Sequence, residues 1–126
     1  MVSLKVEIEG LEGLRRKFSQ VQIDKALRPA MQKAVTSEER EVAVRTPVDT
    51  GRLCSSIGSE VKGIGADIVG TVASGIGGEE VHYTPHVELG TRFMEGRFMF
   101  QRAFEATMDT IKGFFDAAIA DLVRRL

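Results

Sequence analysis

Thr46-Pro47-Val48-Asp49-Thr50-Gly51-Arg52-Leu53 divides the chain into two kinds of periodicity. Before it runs a long charged segment with helical spacing, and after it come short glycine-punctuated runs rich in Ile and Val. Pro47 drives Thr46 out of the helical region, because its ring clashes with the preceding backbone, so the upstream helix must end there. Asp49 and Thr50 each offer a side-chain oxygen to a backbone N–H two or three residues on, and Gly51 accepts a positive φ. The stretch therefore predicts a rigid corner between a helix and a sheet.

Upstream of the corner, Leu27, Met31, Ala34, Val35 and Val42 form one apolar stripe among Lys, Arg, Gln and Glu. This spacing predicts a helix ending near Arg45, with Asp24 placed to cap it. Pro29 removes one backbone bond, so the start falls at Asp24 or nearer Arg28. Glu38 interrupts the stripe, and a carboxylate there sits at the edge of the buried face or meets a basic partner. Nearer the N-terminus, Leu4, Val6 and Ile8 alternate with Ser3, Lys5, Glu7 and Glu9, the pattern of a strand with one buried face, closed by Gly10. Leu11, Leu14 and Phe18 then step by three and four, predicting a short helix.

Downstream, Ile57 to Lys62 and Ala66 to Ala73 read as two strands joined by Gly63-Ile64-Gly65, with Val61, Ile68 and Val72 pointing inward. Phe100, Phe104, Met108, Ile111, Phe115, Ala118, Ile119, Leu122 and Leu126 mark a long amphipathic helix that packs on the sheet. Arg124 and Arg125 at its end complement the helix dipole. Phe98, Met99 and Phe114 lie off the stripe, surplus apolar surface of the kind a subunit interface uses. The expected fold class is α+β. A small antiparallel sheet of three or four short strands packs against a long central helix near residues 25 to 45 and a long C-terminal helix, in one domain spanning 1–126.

With 17 Lys and Arg against 18 Asp and Glu, the chain carries no global field to attract nucleic acid. Cys54 is the single cysteine, so no internal disulfide forms, and it reads as a small filler in a reducing compartment. The first nine residues hold no apolar signal region, and no run approaches the ~18 apolar residues of a membrane span. A cytosolic site of synthesis and no membrane partner are expected.

Three strings suggest chemistry, and each has a simpler reading. Asp49-Thr50-Gly51 is how a dimeric aspartic protease presents its carboxylate, but that site needs an apolar strand running into the aspartate. Here the approach is Glu38-Glu39-Arg40-Glu41 and Arg45, a solvated helix face, so a capped turn is the better account. Gly63-Ile64-Gly65 and Gly75-Ile76-Gly77-Gly78 lack the Lys-Ser or Lys-Thr that would follow in a phosphate loop. His82 and His86, with Glu88 close by, have metal-ligand spacing, but Pro85 lies between them and the chain has two His in all. The expectation is no catalytic set, no cofactor and no metal.

Two stretches together carry a resemblance. Thr46-Pro47-Val48-Asp49-Thr50-Gly51-Arg52-Leu53-Cys54-Ser55-Ser56-Ile57, behind a long charged helix, resembles the first signature of the HK97 gp10-like family of tailed-phage proteins. Tyr83-Thr84-Pro85-His86-Val87-Glu88-Leu89-Gly90-Thr91-Arg92-Phe93-Met94 resembles its second. Where that family shows a proline-rich run before the last helix, this chain has Glu95, Phe98 and Arg102. The resemblance implies a non-enzymatic structural protein of a phage or prophage, a tail completion or head-tail joining component of the virion neck. It implies a homo-oligomer, a hexameric ring by analogy with tail-tube symmetry, meeting other neck and tail proteins, with DNA contact in the lumen unsupported by charge. Pro47, Asp49, Thr50, Gly51, Tyr83, Glu88, Gly90 and Thr91 would be the structural and assembly motif. Arg92, Phe93, Met94, Arg97 and Phe98 would lie at an interface, with the Gly75 to Glu80 loop beside them. The rival from another class is a small cytosolic, self-associating regulatory or toxin-antitoxin-like binding module, which gene neighbourhood would separate from a neck protein.

Overall fold

Alternation at the N-terminus produces the expected strand. A computed structural model describes residues 3–45, 55–76, 90–91, 94–95 and 99–125, and in it β1 (Ser3–Glu7) leaves Lys5 and Glu7 exposed while Val6 turns toward the core. β2 (Ile57–Lys62) has the predicted bounds. β3 (Val69–Ser74) lies between them, giving a three-stranded antiparallel sheet of order β1-β3-β2. Its register runs Ser3↔Ala73 to Glu7↔Val69 on one side and Ile57↔Ser74 to Lys62↔Val69 on the other. As the central strand, β3 is the most deeply covered, with Val72 and Ala73 at 0 % exposure.

The β2 to β3 connection is longer than its glycines suggest. Gly65–Asp67 forms a single 3-10 turn, so β3 starts at Val69 rather than Ala66 and residues 63–68 link the strands. Gly63 sits at φ 85, and a Cβ there would fall 2.4 Å from the Asp67 carbonyl oxygen. Any side chain at that position forces the turn open. Of the expected inward residues, Ile68 and Val72 are buried and Val61 is half-buried against the core.

Leu11 and Phe18 bracket α1 (Glu12–Lys17) and are both buried, with Leu14 packed beside them. The next helix, α2 (Gln20–Arg45), begins earlier than the stripe alone implies. Ser19 caps it: the Gln22 N–H donates to Ser19 Oγ at 3.2 Å, and the Ser19 N–H donates to Gln22 Oε1 at 2.9 Å. This reciprocal pair is a capping box. Asp24 is therefore not the cap, and Pro29 sits inside the helix, on its exposed side. One face of α2 buries Ile23, Leu27, Met31, Val35 and Val42 against the sheet and the last helix. The approach to the sheet is close at Gly70, where a Cβ would lie 2.4 Å from Val35 Cγ1 and 2.7 Å from Met31 Sδ.

The C-terminal helix, α3 (Met99–Arg124), runs antiparallel to α2 along most of its length and meets the sheet chiefly beside β1. Its buried line is Met99, Phe100, Ala103, Thr107, Ile111, Phe115 and Leu122. The expected stripe is thus rotated in its first half: Phe104 and Met108 are 42 % and 51 % exposed, while Met99, expected as surplus surface, is fully buried. Ala103 and Thr107 replace the larger side chains at the α2 contact because two helix backbones approach closely only over small residues. A separate two-stranded ladder, β4 (Gly90–Thr91) with β5 (Met94–Glu95), pairs Gly90 with Glu95 and Thr91 with Met94.

Candidate functional site

Of the assembly-motif and interface residues read from the sequence, Gly90, Thr91 and Met94 fall within described elements, and the first signature's last residue, Ile57, opens β2. The first three form the β4–β5 ladder, on either side of Arg92 and Phe93 in the sequence. Pro47, Asp49, Thr50, Gly51, Tyr83, Glu88, Arg92, Phe93, Arg97 and Phe98 lie outside the described residues, as do Cys54, His82, His86 and most of the Gly75 to Glu80 loop. Among the described residues no group of three or more His, Cys, Asp and Glu could hold a metal ion, and no helix is long and apolar enough to cross a membrane.

The first turns of α2 hold the sheet connection in place. Arg28 donates to Asp24 through Nε at 3.0 Å and Nη2 at 2.8 Å, and Nη2 also reaches the Gly63 carbonyl at 2.8 Å. Asp24 Oδ1 accepts the Gly65 N–H at 2.9 Å, and Gln20 Oε1 accepts that of Ala66 at 3.2 Å. The hydrogen bond from Arg28, helped by that from Gly65, lowers the Asp24 carboxyl to about 2. The same pairing raises the Arg28 guanidinium above its ordinary value. This clamp fixes the β2–β3 hairpin relative to α2; sequence spacing marks Asp24 as a helix cap and Gly63 and Gly65 as a turn, but does not show that they meet.

Glu38 departs most from expectation. It is neither at the edge of the buried face nor paired with a base: its exposure is 0 %, and its described partner is Thr107 on α3. Thr107 Oγ1 lies within hydrogen-bonding reach of Glu38 Oε1 and 2.7 Å from the Ala103 carbonyl oxygen. Glu38 Oε2 is buried with no partner among the described residues. Burial raises the Glu38 carboxyl above its ordinary range, and the Thr107 bond only partly offsets this; Glu41 raises it further and Arg45 opposes. A hydroxyl carries one proton for two acceptors, so both bonds form together only when Glu38 is protonated and donates to Thr107.

Two grooves flank α3. One, of about 430 Å³, is floored by Val6, Ile8, Leu11, Ile111, Phe115 and Ile119 beside β1. The other, of about 330 Å³, lies between α2 and α3 over Ala26, Ala30, Gly113 and Ala117, with Lys25, Lys33, Asp121 and Arg125 at its walls. Lys33 Nζ stands 6.0 Å from the Phe114 ring centre, a cation over an aromatic face. Phe104, Met108 and Val123 on α3, and Val21 and Val44 on α2, leave large apolar side chains in solvent. No family model, curated protein or solved structure matches the chain.

Proposed function

We propose that the chain is a structural protein of a tailed phage or prophage, a tail completion or head-tail joining component that acts by closing into a ring at the neck or upper tail. One observation carries the reading: the signatures at Thr46 to Ile57 and Tyr83 to Met94 occur together, in order, behind a long charged helix. The exposed apolar side chains on α2 and α3 are in keeping with subunit contacts. Such a protein works by assembly rather than by catalysis, on the virion, after synthesis in the bacterial host. Six copies are expected from tail-tube symmetry. The test is electron microscopy of particles and purified tails from cells making this protein, beside a deletion strain. Ring density assigned to the chain, and loss of head-tail joining on deletion, would support the proposal. Particles that lack the chain, with tails that join heads normally without it, would refute it.

A further inference from the structure

The two flanks of α3 carry opposite charge. On the α2 side, Lys25 and Arg125 have no ion-pair partner among the described residues, and Lys33 meets only the Phe114 ring. Arg40 continues the cationic line in the adjoining hollow, which shares Lys33 and Phe114. The neighbouring carboxylates do not neutralise it: Asp24 and Glu41 are paired with Arg28 and Arg45, Glu38 is buried, Glu39 accepts from Ser59, and Asp121 of α3, which lines the groove, is paired with Arg124. On the β1 side, Glu7, Glu9 and Glu12 are exposed and likewise have no ion-pair partner among the described residues, and with Asp116 they outnumber Lys112, the cation lining that groove. Glu9 and Glu12 flank Gly10, where an added Cβ would meet nothing within 4 Å, so this side of the turn is open to a partner. The cationic groove is equally open, with nothing within 4 Å of a Cβ on Gly113. The α3 residues of the two flanks lie roughly 140° apart around the helix axis at 3.6 residues per turn.

We propose that the acidic Glu7 to Glu12 turn of one copy seats in the cationic groove between α2 and α3 of the next. Exposed carboxylates on one flank and cations on the other complement each other in sign, and they sit on different faces of one subunit. The contact is therefore heterologous, the kind that propagates around a ring. It rests on the ring reading for closure. A nucleic acid is the weaker occupant, because the chain as a whole has 18 acidic residues against 17 basic and offers a polyanion no net attraction.

The test uses two surface variants of the full chain, Lys25→Glu with Lys33→Glu in the groove and Glu9→Lys with Glu12→Lys in the turn. Native circular dichroism and melting are checked first. Sedimentation at low salt should show wild-type self-association that weakens tenfold or more at about 1 M salt, where the Debye length falls to ~3 Å. Each variant alone should lose about a hundredfold in affinity. An equimolar mixture should regain it, because each chain then supplies the sign that the other lacks. A wild type that stays monomeric at about 0.5 mM, variants that associate like wild type, or folded variants whose mixture fails to recover would each overturn the proposal. So would a groove variant that loses binding to a labelled DNA duplex while self-association is unmoved. Recovery in the mixture together with phage particles lacking the chain would refute the neck reading and leave this contact standing.

Discussion

Replacing Glu38 with Gln isolates the buried carboxyl between α2 and α3. Glu38 is 0 % exposed, has one described partner in Thr107, and has an unbonded Oε2 among the described residues. Its folded-state pKa is raised from 4.5, chiefly by burial. In the window above 4.5 the unfolded chain has released this proton and the folded chain still holds it. Stability is thus fully present below that value and declines as pH rises toward the folded pKa, by up to ~1.4 kcal/mol per pH unit. Gln cannot titrate, so Glu38→Gln removes this slope. Its amide leaves one N–H unpaired, a fixed penalty of about 1–3 kcal/mol that does not depend on pH. Urea unfolding followed by circular dichroism, from about pH 4.5 to about pH 7, should show wild type losing stability relative to the variant as pH rises. Parallel curves for the two proteins would refute the reasoning, since they would mean that Glu38 titrates alike in both states. Thr107→Val should add to the case by destabilising the protein by about 1–3 kcal/mol, because it removes the hydroxyl that Glu38 bonds.

Asp24→Asn should destabilise by about 1 kcal/mol at neutral pH, a value kept low because Asp24 and Arg28 are partly exposed. The sign runs opposite to Glu38: a carboxyl held at about 2 against 3.8 stabilises above 3.8, and thermal melts should show the wild-type advantage shrinking as pH falls toward 2. Gly70→Ala should destabilise by about 1–3 kcal/mol, since its Cβ would overlap Val35 and Met31. The double variant with Val35→Ala should recover part of that loss in a double-mutant cycle, whereas strict additivity would show that the side chain is accommodated elsewhere.

Local patterns in the chain specified much of this architecture. Alternation of Val6 and Ile8 with Lys5, Glu7 and Glu9 is enough to make a strand with one wet face, and Ile57 to Lys62 became β2 with its expected ends. Spacings of three and four placed the body of α2 and its end at Arg45, because a stripe of that period has one way to be buried. The true start at Gln20 was also local: Ser19 and Gln22 make a capping box that the apolar stripe does not reveal. Other features depend on what lies across the contact. Period alone assigned Phe104 and Met108 to the buried face of α3, yet the facing helix admits only Ala103 and Thr107, and Thr107 is suited to the inside by a carboxyl 69 residues away. Likewise, Gly70 looks like any glycine in a strand until Met31 and Val35 are found above it. Opposite charges on the two flanks of α3 come from residues scattered between Glu7 and Arg125, which no window along the chain brings together. Period and capping act over a few residues and can be read along the chain, whereas close approach, burial of a lone carboxyl and surface charge depend on neighbours that only the folded chain supplies.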